Sequence, residues 1–152
     1  MIEEKIKELG YDLPETVKPL ATYIPAIKAG EFVYTSGQVP IVSGELKYKG
    51  KIGSDLTLED GQKAAVVCAL NGLSAIKAVV GDLNKIKQIV KITVFVNSAI
   101  GFTDQPKVAN GASEFLGSVF GNAGIHARSA VGVSELPVNS AVEIEMIVKV
   151  KN

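Results

Sequence analysis

Residues 126–145 read HARSAVGVSELPVNSAVEIE, and three of their four charged side chains, Arg128, Glu143 and Glu145, stand in β-like runs where they could do chemistry. Arg128 heads an apolar, β-like run. After a Leu-Pro break, a second such run carries Glu143 and Glu145. Ordering arginine and glutamate beside so much valine, isoleucine and alanine is costly, so each is either a solvated strand-edge charge or one half of a site. Beside the small residues Ser129 and Ala130, a guanidinium could grip a carboxylate through two parallel hydrogen bonds. The plain alternative leaves Arg128 exposed and Glu143 solvated or paired with a lysine.

Other chemistries are poorly served. His126 is the single histidine, so a Ser-His-Asp triad would have to be built around it. Without a nucleophile motif it reads as a strand-end residue. No His, Cys or carboxylate cluster has metal-ligand spacing, and neither a P-loop nor GxGxxG appears. Chemistry without a metal or a nucleotide cofactor is the expectation. Cys68 is the only cysteine, so no internal disulfide can form, and its neighbours AAVVCALNGL read as an apolar helix face around a small buried hydrophobe.

The frame that must position these groups is modest. At 152 residues, 47% hydrophobic and 21% charged, the chain fits a single domain, 1–152, with a real core. The 16 basic and 16 acidic residues cancel, which argues against a nucleic-acid partner while leaving room for a local basic patch. No run approaches the ~20 apolar residues of a membrane span, and the start, MIEEKIKELG, is too charged for a signal peptide. A cytoplasmic protein with no membrane partner is expected.

Periodicity sets out the elements. Ile2, Ile6 and Leu9 share a helical face that Gly10 ends, and YDLPETVKPL follows as an extended connector, so residues 1–20 form an N-terminal helix and linker. EFVYTSGQVPI, from Glu31, reads as a strand ending at Gly37 and Pro40, and ELKYKGKI (45–52) as a short edge strand guarded by lysines. Thr57 with Asp60 resembles a capping box for a long helix that runs to Val80 and closes at Gly81. KQIVKITVFVN (87–97) is a strand with Val90, Ile92, Val94 and Val96 on one face and Ile89, Lys91, Thr93 and Phe95 on the other. Thr103 is the expected cap of a second helix, with Pro106 in its first turn and Gly121 after its end.

Strands interleaved with two helices give an α+β domain: a sheet covered on one face. The uncovered face carries Ile89, Phe95 and Ile147, and a half-apolar face of that kind usually buries itself against another chain, so a homo-oligomer is expected. Alternation along 142–150 turns Glu143 away from the helix-covered core. If LPVN were a tight hairpin turn, Arg128 and Glu143 would lie ~20 Å apart at strand rise. They could then meet only if their strands are not hairpin partners, or if different subunits supply them.

Three blocks, YTSGQVP (34–40), VKITVFVNS (90–98) and HARSAVGVSELPVNSAVEIE (126–145), resemble the signature blocks of the Rid family, also called YjgF-type and often labelled endoribonuclease L-PSP. They fall in the family's order and span the chain from about Thr22. The resemblance implies a fold like Bacillus chorismate mutase, a mixed sheet with two helices on one face, assembled as a homotrimer with clefts at the subunit boundaries. It also implies that the last two strands flank the middle one. In the enamine/imine deaminases of that family, the arginine matching Arg128 binds the substrate carboxylate, and the glutamate matching Glu143 positions the attacking water. Glu145 shares that face further along the strand. Tyr23, Ser36 and Asn110 match positions lining the ligand cleft, although Thr22 stands where a proline usually precedes the tyrosine. Ala130 occupies the site of a cysteine common in those enzymes.

The resemblance therefore implies hydrolysis of reactive small 2-imino acids to 2-keto acids and ammonia, on a small carboxylate-bearing ligand and without a cofactor. The alternative is a non-catalytic small-carboxylate sensor using the same cleft. The endoribonuclease or translation-inhibitor reading rests on the family label, and the zero net charge weighs against it.

Overall fold

The structure, a computed structural model, describes residues 1–16 and 22–152. The far end of the expected connector, residues 17–21, lies outside the described residues. Helix α1 (Ile2–Glu8) buries Ile6 and leaves its acidic and basic residues outward. Strands β1 (Ala26–Ala29) and β2 (Phe32–Thr35) form a hairpin around Gly30 and Glu31, with Gly30 at φ 60°. A two-residue turn with glycine first suits the twist of such a hairpin. The sequence reading had placed only β2 here.

Strands β3 (Ile41–Val42) and β4 (Glu45–Leu46) make a separate two-stranded ribbon. The expected edge strand over 45–52 is therefore reduced to Glu45 and Leu46. Beyond them the backbone makes only isolated bridges, Lys49 to Ser140 and Ile52 to Leu56 and Ser98.

Helix α2 (Leu58–Val80) starts as the sequence indicated. The Thr57 hydroxyl accepts from the Asp60 amide at 3.1 Å, and the Asp60 carboxylate accepts from the Thr57 amide at 3.0 Å. Gly81, at φ 84°, ends it. By length and composition α2 could cross a membrane, contrary to the expectation that no run could, but most of it is buried inside the fold. Cys68 is fully buried within it, where loss of solvation pushes its thiol pKa well up.

Strand β5 (Ile86–Asn97) leads to helix α3 (Gln105–Phe120), which begins after Asp104 and not after the expected Thr103, with Pro106 in its first turn. Strands β6 (Ala127–Val133) and β7 (Val142–Val150) complete the chain. The sheet order is β1-β2-β7-β5-β6, with β5 and β6 parallel and every other pair antiparallel. Because α3 carries the chain from β5 across to β6, the two can run in the same direction. β6 and β7 thus flank β5 and are not hairpin partners.

Helices α2 and α3 cover one face, against which Ile92, Val94, Val96, Ile144, Met146 and Val148 are buried. One expectation fails on this strand. Ile89 lies in the core opposite Val148, because the β5–β7 register slips between Ile89 and Lys91 and so turns Ile89 inward. The second face keeps Phe95 and Ile147, and adds Ile27 and Tyr34 in register with Ile147, and Val131 in register with Phe95. Ile27, Tyr34 and Val131 are exposed in the single chain.

Candidate functional site

Arg128 is the chain's only arginine. Its Cα lies opposite Ile92, so its side chain shares the face of the helices, over the open edge that β6 forms. There α3 meets it. Arg128 Nη1 donates to Asn110 Oδ1 at 2.9 Å and to Ser113 Oγ at 3.1 Å. Asn110 and Ser113 are three apart on the helix and therefore present one face to the strand. Among the described residues no carboxylate lies within ion-pair distance of Arg128, and only Nη1 has a protein acceptor. The fold orients the guanidinium with neutral acceptors and leaves its charge uncompensated. Ala130, two residues on, faces the same way and packs against the core.

Glu143 belongs to a second cluster. It lies opposite Phe95 on the face away from the helices, half-buried, as alternation along β7 required. Gly37 makes room for it: a Cβ at that position would stand 2.8 Å from the Glu143 carboxyl carbon and from Oε1. The segment is held there by Gln38, which exchanges backbone hydrogen bonds with Ile144 at 2.8 and 3.0 Å. Ser36 is tied back to the approach of β1, its amide to the Pro25 carbonyl and its hydroxyl to the Ile24 carbonyl at 2.6 Å. Tyr23, the chain neighbour of Ile24, is exposed. Burial raises the Glu143 pKa above the usual carboxylate value, and the charge of Glu145 raises it further. A carboxylate so disposed holds a proton to higher pH than an exposed one.

The predicted residues thus fall into two groups: Arg128, Asn110 and Ala130 at the β6 edge, and Tyr23, Ser36 and Glu143 beyond β7. Within one chain the groups do not meet. Arg128 and Glu143 are three residues apart along β5 and two strand spacings apart across it, roughly 14 Å between backbones, and they project from opposite faces. Removing the hairpin shortens the expected separation but does not close it. A hollow of about 460 Å³ lies elsewhere, lined among others by Tyr11, Phe115 and residues of α2 and α3.

Sequence alone does not mark two residues at the arginine: Ser113 sits in no motif, and His126 reads only as a strand-end residue. Their signal is spacing: Asn110 and Ser113 are three apart on a helix, and His126 stands just before β6, two residues from Arg128.

An α+β domain whose five-stranded sheet carries an arginine without an ion-pair partner among the described residues at one edge and a half-buried carboxylate on the far face defines the class. The model of the YjgF/chorismate mutase-like endoribonuclease family matches residues 3–150. Protein TCP17 of Trypanosoma cruzi is 41% identical over 152 residues, covering 99% of this chain and 95% of its own length. A Dermatophagoides farinae protein named 2-iminobutanoate/2-iminopropanoate deaminase is 30% identical, over 91% of this chain and 93% of its own. Among solved structures, a protein of unknown function from Agrobacterium tumefaciens superposes with TM-score 0.94 at 42% identity, covering 99% of this chain and 92% of that one. Escherichia coli TdcF with bound serine superposes with TM-score 0.60 at 27% identity, covering 91% and 93%. The chain belongs to the YjgF/chorismate mutase-like family.

Proposed function

We propose that this protein hydrolyses small 2-imino acids to 2-keto acids and ammonia, in clefts between the subunits of a cytoplasmic homotrimer. The observation that carries the reading is Arg128, the one arginine, held by neutral side chains with donors to spare and, among the described residues, no carboxylate within ion-pair distance. A substrate carboxylate is the natural counter-ion, and a bidentate grip fixes the neighbouring imine carbon. Glu143 of an adjacent subunit would then act as general base. It takes a proton from water as the water oxygen bonds to C2, and passes that proton to the imine nitrogen to give the carbinolamine. Glu143 then takes the carbinolamine hydroxyl proton and delivers it to the amine nitrogen as the C=O bond forms and the C–N bond breaks, so that ammonia departs. The reaction consumes water alone. Relatives at about 30% identity bearing the 2-iminobutanoate/2-iminopropanoate deaminase name support the same reading.

The test generates 2-imino acids in place with an amino-acid oxidase and follows their loss with a trapping nucleophile. Acceleration by the protein is expected. No acceleration across a panel of side chains would rule the deaminase out. A second reading, a small-carboxylate receptor, draws on Ala130, where a more reactive side chain is absent from the arginine's strand. A receptor needs Arg128 and not Glu143, so Glu143→Gln separates the two: turnover is lost if the protein is an enzyme, while carboxylate binding survives in either case.

A further inference from the structure

Arg128 Nη1 is planar, so its two protons, directed to Asn110 and Ser113, together fix the plane of the guanidinium, whereas one bond alone would let it swivel. Ser113 is itself anchored: its Oγ lies 2.9 Å from His126 Nε2. His126 Nδ1 lies 2.6 Å from the Gly124 carbonyl, which can only accept. Nδ1 therefore carries a proton, and in the Nδ1–H tautomer Nε2 is an acceptor for the serine hydroxyl. The directions agree throughout: arginine donates to serine, serine to histidine, histidine to backbone. The last link is rigid, because Gly124 lies so close to α3 that a Cβ there would run into the Leu116 carbonyl oxygen.

We infer that Ser113 and His126 are positioning residues for Arg128, a hydrogen-bonded relay that locks the guanidinium in the orientation that receives the substrate carboxylate. The inference rests on the proposed role of Arg128 as carboxylate binder. It assigns work to the one histidine and to a helix serine that the hydrolytic step does not use. The relay joins α3, β6 and the turn between them, so the orientation of the arginine is tied to the seating of α3 on the sheet edge.

The chain contains one arginine and one histidine, so each gives a single set of side-chain NMR signals. In the wild type, the Arg128 η protons should be resolved at low temperature, and His126 should show a protonated Nδ1 and an unprotonated Nε2. Ser113→Ala should merge the η signals through free rotation, and Ser113→Thr, which keeps the hydroxyl, should restore them. The dissociation constant for 2-oxobutanoate, measured by calorimetry, should rise about tenfold in Ser113→Ala and in His126→Leu, and KM with it, while kcat stays within about twofold. His126→Gln, which can still accept from Ser113, should recover most of the affinity. Resolved η protons in Ser113→Ala, or a histidine protonated at Nε2 alone, would overturn the relay even if melting temperatures fall. If the wild type binds no 2-keto acid and hydrolyses no imine while the η signals respond as expected, the relay stands and the carboxylate reading fails.

Discussion

Arg128 and Glu143 are both charged residues in apolar strands, yet the fold treats them oppositely. Arg128 receives neutral partners that orient it. Glu143 is desolvated and set beside a second carboxylate, Glu145, so its charged form is the one disfavoured. Arg128→Ala should lower kcat/KM for imine hydrolysis by about a hundred- to ten-thousand-fold, the loss of two charge-assisted hydrogen bonds, and Arg128→Lys should recover little because an ammonium cannot make the paired contact. For Glu143 the sign of the pH effect is definite. Its pKa is raised in the folded chain, so ionising it costs stability, and that cost is incurred as pH rises through the folded value. Glu143→Gln should therefore melt higher than the wild type at neutral pH while losing turnover. As a base, Glu143 should give kcat an acidic limb above the ordinary carboxylate range. Glu145→Gln should shift that limb towards lower pH, because it removes the neighbouring charge.

Elements set how well these side chains are aimed, and the sequence disclosed them unevenly. The long helix was legible because Thr57, Asp60 and Gly81 punctuate it by local chemistry. The face of Glu143 was legible because β7 alternates without interruption. Ile89 was misplaced because a register slip in β5 belongs to the pairing of two strands, and no single strand records it. β1 is hidden because its four residues are too few to show a period, and only the pairing with β2 across Gly30 reveals it. The surroundings of Arg128 were hidden for a similar reason: the crossover through α3, and not sequence proximity, lays Asn110 and Ser113 against it. That seating depends on Gly111. A Cβ there would come within 2.8 Å of the Gln62 Cα and closer still to its carbonyl oxygen, so α2 and α3 touch through this glycine. Gly111→Ala should cost about 3 kcal/mol in denaturant unfolding, at the upper end for overpacked contacts. It should also raise KM through displacement of the adjacent Asn110.

On the scale of the whole molecule, Arg128 and Glu143 stand on opposite faces of one sheet, too far apart in one chain to share a small ligand. The second face repeats the message in apolar form: Ile27, Tyr34 and Ile147 line up across three strands, and Phe95 stands beside Val131. A cyclic assembly would cover that face and set the β6 edge of one chain against the Glu143 side of the next. Mixing two disabled chains tests this directly. In Arg128→Ala the Glu143 half is intact, and in Glu143→Gln the Arg128 half is intact, so each homo-oligomer should be inactive. Co-expressed in equal amounts, they should form mixed trimers in which about a quarter of the clefts pair an intact arginine with an intact glutamate. Imine hydrolysis should return to about a quarter of the wild-type rate per cleft, with ultracentrifugation reporting three chains per particle. If both groups served one site within a single chain, no mixture could restore activity, because every chain would still lack one of them.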